Sequence, residues 1–434
     1  VSPALFQVSN NITSVTVGGS ANTISLTFDS NGVITGASNN ALSVANTLIT
    51  GNIISSQIAS VSGSVITANT IANSAIQTGA VENYMSAAGL GFGMRNRIIN
   101  GAMVIAQRGT SAVNTNVSYP VDRFRLVVSN SSKVSLQQSS TVPTGAGFVN
   151  SIIATSLAAT TVGAGDTYEV DQQIEGYNIA DLMWGTANAK TVTLSFWVRS
   201  SLTGTFGGAL ESQSNTRAYP FSYTISSANT WEQKTITIAG DTTGTWVTDN
   251  SRGVVIRWSL GTGSNYLNTA NAWVAGDYQS VTGETKLVAT NGATWYLTGV
   301  QLEKGSTATS FDYRSFGTEL ALCQRYFETS ADFGNNAQYD GQQIVVGVGG
   351  TTFGGAVAFC QGKPFSVRKR TAPTVVLYYQ DGSAGNVYRI DSAAKIAAVA
   401  LYLNPAGFLY TYSSTSAFNQ GYGYYYSFTA DAEL

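Results

Sequence analysis

Thr191-Val192-Thr193-Leu194-Ser195-Phe196-Trp197-Val198 alternates apolar and polar residues without a break. Period two puts Val192, Leu194, Phe196 and Val198 on one face of a strand, and Thr193, Ser195 and Trp197 on the other. The second face meets either solvent or a further layer. The same grammar continues outward. Strands are predicted from Val134 to Gln138, Tyr168 to Ile174, Phe221 to Ile225, Glu232 to Ile238, Gly253 to Leu260 and Ala293 to Leu302. Gly204, Asp241 and Asn291-Gly292 supply turns between them. Short strands at modest spacing predict an all-β fold with a jelly-roll-like β-sandwich over 94–316.

Composition narrows the chemistry. Of 434 residues only 11 % are charged, the formal net charge is −2, and histidine is absent. About 25 % charged is usual. Without histidine there is no Ser-His-Asp triad, no Cys-His pair, no HExxH zinc site and no histidine pH switch. A slightly negative chain offers nucleic acid no generic surface, so no nucleic-acid partner is expected. No GxSxG elbow or CxxC pair occurs, and Gly349-Gly350-Thr351-Thr352-Phe353-Gly354-Gly355 lacks the Lys-Ser/Thr of a phosphate loop. No cofactor or metal site is expected. Cys323 and Cys360 cannot build a disulfide framework and are expected as buried free thiols, with one bridge left open. There is no run of 18 apolar residues and no charged-then-apolar leader. The chain opens at Val1, from a trimmed start or as part of a longer polypeptide.

Residues 10–36 also alternate, and Asp29-Ser30-Asn31-Gly32 marks a turn, so 1–39 is predicted as a β-hairpin segment. Beyond it Val61, Ile66, Ile71, Ile76 and Val81 recur every five residues among Ser, Thr, Asn, Ala and Gly. Period five suits neither a helical stripe nor a flat strand. A lone thread cannot bury one β-branched residue in five, whereas copies wound about a common axis can. Residues 40–93 are therefore expected as an intertwined oligomeric stalk with those five on the axis. The alternative is a flexible Ser/Ala linker.

Several phrases carry a family likeness. Met94-Arg95-Asn96-Arg97-Ile98-Ile99-Asn100-Gly101-Ala102-Met103 resembles the opening of a β-sandwich module frequent in bacteriophage tail-fibre and virion proteins. Val121-Asp122-Arg123-Phe124, Gln172-Gln173-Ile174-Glu175-Gly176-Tyr177 and Leu194-Ser195-Phe196-Trp197-Val198 are similar to its later steps, with Arg199 in a Lys place. Gly299-Val300-Gln301-Leu302-Glu303-Lys304-Gly305 is similar to its close. Glu319-Leu320-Ala321-Leu322-Cys323-Gln324-Arg325-Tyr326-Phe327 resembles the link that follows. Together these cover about residues 93–328. Such modules resemble carbohydrate-binding jelly rolls. Thr429-Ala430-Asp431-Ala432-Glu433-Leu434 resembles the terminus common in phage distal-fibre proteins.

The resemblance implies a virion tail fibre, assembled in the host cytoplasm as an elongated homotrimer. Its N-terminal part would join phage tail or baseplate proteins, and its far end would bind host surface polysaccharide or lipopolysaccharide. A helical linker is expected over 317–329, from the helical spacing of Leu320, Cys323 and Phe327. A C-terminal receptor-binding β domain is expected over 330–434. In it Thr374 to Tyr379 reads as a strand, and Ala400 to Leu403 and Phe408 to Tyr412 as a hairpin around Asn404-Pro405-Ala406-Gly407.

Tyrosine and tryptophan suit sugars, because a ring stacks on the apolar face of a pyranose. Tyr410, Tyr412, Tyr422, Tyr424 and Tyr426, with Trp273 and Tyr266, are the glycan-binding candidates. The competing reading is that they fill the sheet interior or a subunit interface. Glu169, Asp171, Gln173 and Glu175 would share one strand face. Such carboxylates can flank a glycosidic bond, but a solvated face or an oxygen-liganded cation site suits them as well. Arg368-Lys369-Arg370 reads as a solvated loop, with contact to anionic polysaccharide as the alternative. The function expected is host attachment without catalysis. The alternatives are a tail-spike depolymerase and a purely structural fibre.

Overall fold

The computed structural model describes residues 22–32, 34–41, 94–335, 343–345, 363–390, 392–401, 403–408, 410–412 and 423–434. The chain divides into two units, 1–77 and 78–434. In the first, β1 (Asn22–Phe28) pairs antiparallel with β2 (Ile34–Ala41). The expected turn closes them: Gly32 N donates to Asp29 O at 3.0 Å and Asn31 N to Asp29 Oδ1 at 2.9 Å. Gly32 has φ +82°, where a side chain would be strained. The five-residue series from Val61 to Val81 lies outside the described residues, as does the rest of 42–93, where a stalk is expected.

The second unit carries the sandwich. Its strands are β3 (Ser118–Val121), β4 (Phe124–Val128), β5 (Val134–Ser139), β6 (Ser151–Ser156), β7 (Thr167–Glu175), β8 (Val192–Ser200), β9 (Gly204–Ser212), β10 (Arg217–Ile225), β11 (Glu232–Ile238) and β12 (Arg252–Thr262). They are followed by β13 (Leu267–Asn268), β14 (Val274–Ala275), β15 (Ser280–Val281) and β16 (Thr294–Lys304). One sheet has seven strands in the order β14-β10-β9-β12-β7-β4-β3, the other five in the order β11-β8-β16-β6-β5, and β13 pairs with β15 apart from both. Val192, Leu194, Phe196 and Val198 all lie in the core between the sheets. There the Phe196 ring meets Trp258 edge-on at 5.9 Å and Tyr223 at 5.2 Å. The other face of β8 is layered, not bare: Thr193 is buried and its hydroxyl donates to Gly305 O at 2.8 Å.

β9 escapes a pattern search because it is Gly204-Thr205-Phe206-Gly207-Gly208-Ala209. The glycines are there for close approach. A Cβ on Gly207 would collide with Ser280 and Val281 of β15, and one on Gly208 with the Arg257 carbonyl.

The chain then forms α1 (Phe316–Gln324), β17 (Phe327–Thr329), β18 (Gln343–Val345), β19 (Lys363–Pro364), β20 (Thr374–Tyr378), β21 (Asn386–Arg389) and β22 (Ala394–Ala397). Last come β23 (Val399–Leu401), β24 (Gly407–Phe408), β25 (Tyr410–Tyr412), β26 (Gly423–Tyr425) and β27 (Ser427–Asp431). Ser315 caps α1, its hydroxyl accepting from Thr318 N. The helix is shorter than the expected 317–329 linker. It stops at Gln324, and Phe327 belongs to β17, because pairing with β27 takes over there, with Phe327 opposite Asp431. Cys323 is buried and free, packed with Ile99, Ile105 and Tyr326; Cys360 lies outside the described residues.

Six of the seven phrases that resemble phage proteins meet in one knot, while 194–198 lies in the core. Asn96 Nδ2 donates to Val300 O, and its Oδ1 accepts from Ile98 N and Leu302 N. Gln172 exchanges two 2.9 Å bonds with the Ile99 backbone. Asn100 N donates to Glu319 of α1. The Glu175 carboxylate takes Arg325 Nε at 2.8 Å and Nη2 at 2.5 Å, and the Tyr326 hydroxyl at 2.8 Å. Arg123 pairs with Glu433, and Ala432 N donates to Tyr326 O at 2.7 Å. The 330–434 segment therefore leaves from β17 and returns beside it through β27, and its last residues pack on the sandwich. Its own core gathers Phe365, Leu377, Val387, Phe408, Tyr424 and Phe428.

Glu175 is buried, while the Arg325 side chain is 31 % exposed. Arg325→Met is expected to lower unfolding stability by about 3 kcal/mol, because it strands a buried carboxylate. Adding Glu175→Gln should restore most of that loss in urea melts. A single variant as stable as the parent would remove the pair from the account.

Candidate functional site

The carboxylates of β7 do share one face, as expected, but that face is neither solvated nor a cation site. Asp171 stands directly across from Arg125 on β4 and from Arg257 on β12. Arg125 grips it with Nε at 2.6 Å and Nη2 at 2.8 Å. Arg257 pairs with Glu169, and its Nε donates to Glu211 Oε2 of β9 at 2.8 Å. Glu169, Asp171, Glu175 and Glu211 are all buried. Four buried acids thus lean on arginines, where catalysis would need them open to a sugar.

One guanidinium cannot neutralise two carboxylates. Burial pushes Glu211 up to about 9, and the Arg257 charge offsets this only in part. Burial likewise raises Glu169, to about 7. Glu169 Oε2 and Glu211 Oε1 have no hydrogen-bond partner, so each is a place where a proton can sit.

The aromatic candidates separate. Tyr424 and Tyr426 are 1 % and 4 % exposed and fill the second core, which removes them as sugar platforms. Alternation of aromatics marked an inward face there. Tyr410 and Tyr412 lie on β25, opposite Leu401 and Val399; their side chains lie outside the described residues, as does Tyr422. Tyr266 is half-buried in a 3-10 turn, its carbonyl accepting from Gln279 N at 2.9 Å.

Trp273 has company that the sequence did not announce. Its ring lies edge-on to Trp184 and Trp246, both at 5.4 Å, and to Tyr219 at 5.3 Å. All three indole N–H groups are spent inside: Trp184 on Lys190 O, Trp246 on Asp241 Oδ2 and Trp273 on Ala239 O. Arg217 holds Asp241 with bonds of 2.9 and 2.6 Å. Trp246 and Trp273 stay half-buried, with Thr243, Thr245 and Asn271 exposed beside them in the chain. Aromatic rings that stay partly open beside hydroxyls and amides are the kind of surface on which a pyranose stacks. Trp184-Gly185 and Gly244-Thr245-Trp246 set a large ring in a glycine turn; that was the available signal.

The basic run is not a solvated loop. Lys369 is 1 % exposed and pairs with Glu328. Arg370 donates to the carbonyls of Asn250, Ala432 and Glu433. Of the three, Arg368 alone is exposed. Clefts open around the 431–434 segment that Arg370 helps to hold. One, of about 700 Å³, is floored by Thr374, Val376 and Tyr378 of β20 and walled by Arg108 and Asp431. Arg108 stacks on Phe327 at 3.5 Å and pairs with Asp431 at 3.0 Å.

No family model and no curated protein matches this chain. Among solved structures, the enzymatically active domain of Bacteriophage CBA120 tailspike protein 4 aligns at 12 % identity and TM-score 0.26, over 48 % of this chain and 21 % of that one. The TmCBM61 module in complex with β-1,4-galactotriose aligns at 8 % identity and TM-score 0.25, over 49 % of this chain and 99 % of that one. The family 11 carbohydrate-binding module of a Clostridium thermocellum cellulase aligns at 13 % identity and TM-score 0.24, over 46 % and 98 %. The match thus spans about a fifth of the tailspike chain. Likeness at this level transfers no function; what the sandwich binds is decided by its own side chains.

The buried acids set a pH dependence. Native Glu211 and Glu169 keep protons that the unfolded chain has already released, so stability falls as pH rises from about 5 towards 9. No histidine titrates in that window. Glu211→Gln copies the protonated acid and should flatten the decline in melting temperature between pH 6 and 9. A parent protein equally stable across that range would contradict the shared-guanidinium reading.

Proposed function

We propose that the chain is a virion tail-fibre protein that holds host-surface polysaccharide or lipopolysaccharide and does not cut it. The observation that carries this reading is the knot described above. Six of the seven phrases resembling phage fibre proteins, from Asn96 to Glu433, meet at one junction in the second unit. Sugar binding is assigned to the half-buried Trp246 and Trp273 surface, because Tyr424 and Tyr426 are spent in a core. Absence of catalysis is favoured by the ion pairs that occupy the β7 carboxylates. Homotrimer assembly and attachment to tail or baseplate proteins follow from the same resemblance. Three copies on one fibre would multiply a weak single-site affinity.

The full chain, passed over immobilised bacterial surface polysaccharides and lipopolysaccharides, should be retained by some of them and leave polymer length unchanged. Its mass in solution should be that of three chains. Trp273→Ala, checked for folding by its melting curve, should weaken retention about tenfold or more. Shortened polymers would establish a depolymerase instead. No retention on any surface fraction would leave a structural fibre.

A further inference from the structure

A second cleft, of about 510 Å³, borders the 431–434 segment on its other side. It is lined by Arg125 of β4, Gln173 of β7, Arg252 of β12, Arg370, Gln213 and Ser251, with Leu434 at its rim. No Asp or Glu side chain lines it. Among the described residues, Arg125 pairs with a carboxylate, Asp171, and Arg252 and Arg370 do not. Arg252 donates to Gln213 O and, at 2.7 Å, to Asn215 Oδ1. Arg370 reaches three main-chain carbonyls and no acid. With the Gln173 amide turned to satisfy its neighbours, its nitrogen donates to the Leu434 main-chain oxygen at 2.9 Å and its oxygen accepts from Arg125 Nη1 at 2.9 Å.

The electrostatics agree with this geometry. Arg252 and Arg370 are both depressed, first by partial burial and then by neighbouring guanidiniums, Arg257 and Arg125 for the one and Arg123 for the other. The acids nearby do not cancel the excess. Asp171 and Glu211 act on Arg252, and Glu175 and Glu433 on Arg370, yet each of these four is held by another arginine. Two cations with no carboxylate partner among the described residues, lining one cleft with an amide and a hydroxyl, make a receptor for a planar or tetrahedral oxyanion.

We infer that the Arg125–Arg252–Arg370 cleft binds an oxyanion group on an acidic saccharide, a carboxylate or an ester sulfate or phosphate. The inference rests on the glycan reading above and names the class of glycan. It adds guanidinium pairing for charged units to the ring stacking that the tryptophans offer neutral ones.

The test uses the full chain and three probes: an oligogalacturonate, a neutral malto-oligosaccharide of equal length, and inorganic sulfate. Oligogalacturonate should bind in calorimetry, weaken with added salt and be displaced by sulfate. Arg252→Gln should weaken it about ten- to hundredfold, the scale of one charge-assisted pair. Gln213→Glu provides a second variant that removes no existing side-chain bond. It places an acid at the mouth of the cleft and should abolish acidic binding while leaving the melting temperature unchanged. Displacement by sulfate with no oligogalacturonate preference over the neutral chain would mean an anion site unconnected with sugar, and overturns the inference. Acidic binding that ignores both variants overturns it as well. Neutral-sugar binding without acidic binding overturns it and leaves the broader glycan reading standing; failure of both sugars overturns it too, and the glycan reading is then decided by retention on the bacterial surface fractions.

Discussion

The carboxylate of Glu175 is buried at the end of β7, held by Arg325 and by the Tyr326 hydroxyl. An isolated charge in that place would be untenable. Its cation and its hydroxyl come from the turn after α1, so the sandwich is completed by residues that follow it in sequence. The same turn starts β17, β17 pairs with β27, and β27 runs into the segment that Arg123 and Arg370 fasten back on the sandwich. Satisfying one buried acid thus orders the junction through which the rest of the second unit is connected.

This constraint changes what the low charge content means. A chain with 11 % charged residues invites the picture of a surface made of hydroxyls and amides. Yet Glu169, Asp171, Glu175, Glu211, Arg257 and Lys369 are buried: Arg257 pairs with Glu169 and Glu211, Asp171 with Arg125, Glu175 with Arg325 and Lys369 with Glu328. Scarce charge has been placed inside, where each pair is directional and each mismatch is expensive. Arg257 between Glu169 and Glu211 is such a mismatch, and it leaves a proton in the interior. Arg252 and Arg370 are the opposite mismatch, and they leave positive charge facing water.

Much of the sandwich was readable because its core strands obey period two. Val192 to Val198 shows one apolar face, and that face lies in the core; β12 and β16 are buried on both faces along most of their length, so their apolar runs marked strands without marking a single inner face. Strands β3, β4 and β6 lacked so long an alternation, and β9 is built of glycines that only a neighbouring layer explains. The binding surfaces were harder to read. Tyrosines that alternate in sequence, as at Tyr424 and Tyr426, mark an inward face as well as they would an outward one, and only packing separates the two. The tryptophan group joins residues 184, 246 and 273 across three turns, and the arginine cleft joins residues 125, 252 and 370. No local pattern encodes such meetings. Trp273 was identifiable alone, by its polar neighbours; its partners were not.

The central claim is that 330–434 is anchored to the sandwich through the Glu175 junction. Amide hydrogen exchange on the full chain tests it most directly. The account predicts that β17, β27 and Ala432, whose N–H donates to Tyr326 O, are protected to the same degree as β7 and β12 and lose protection with them in mild denaturant. Exchange at β17, β27 and Ala432 that runs fast while β7 and β12 stay closed would contradict it.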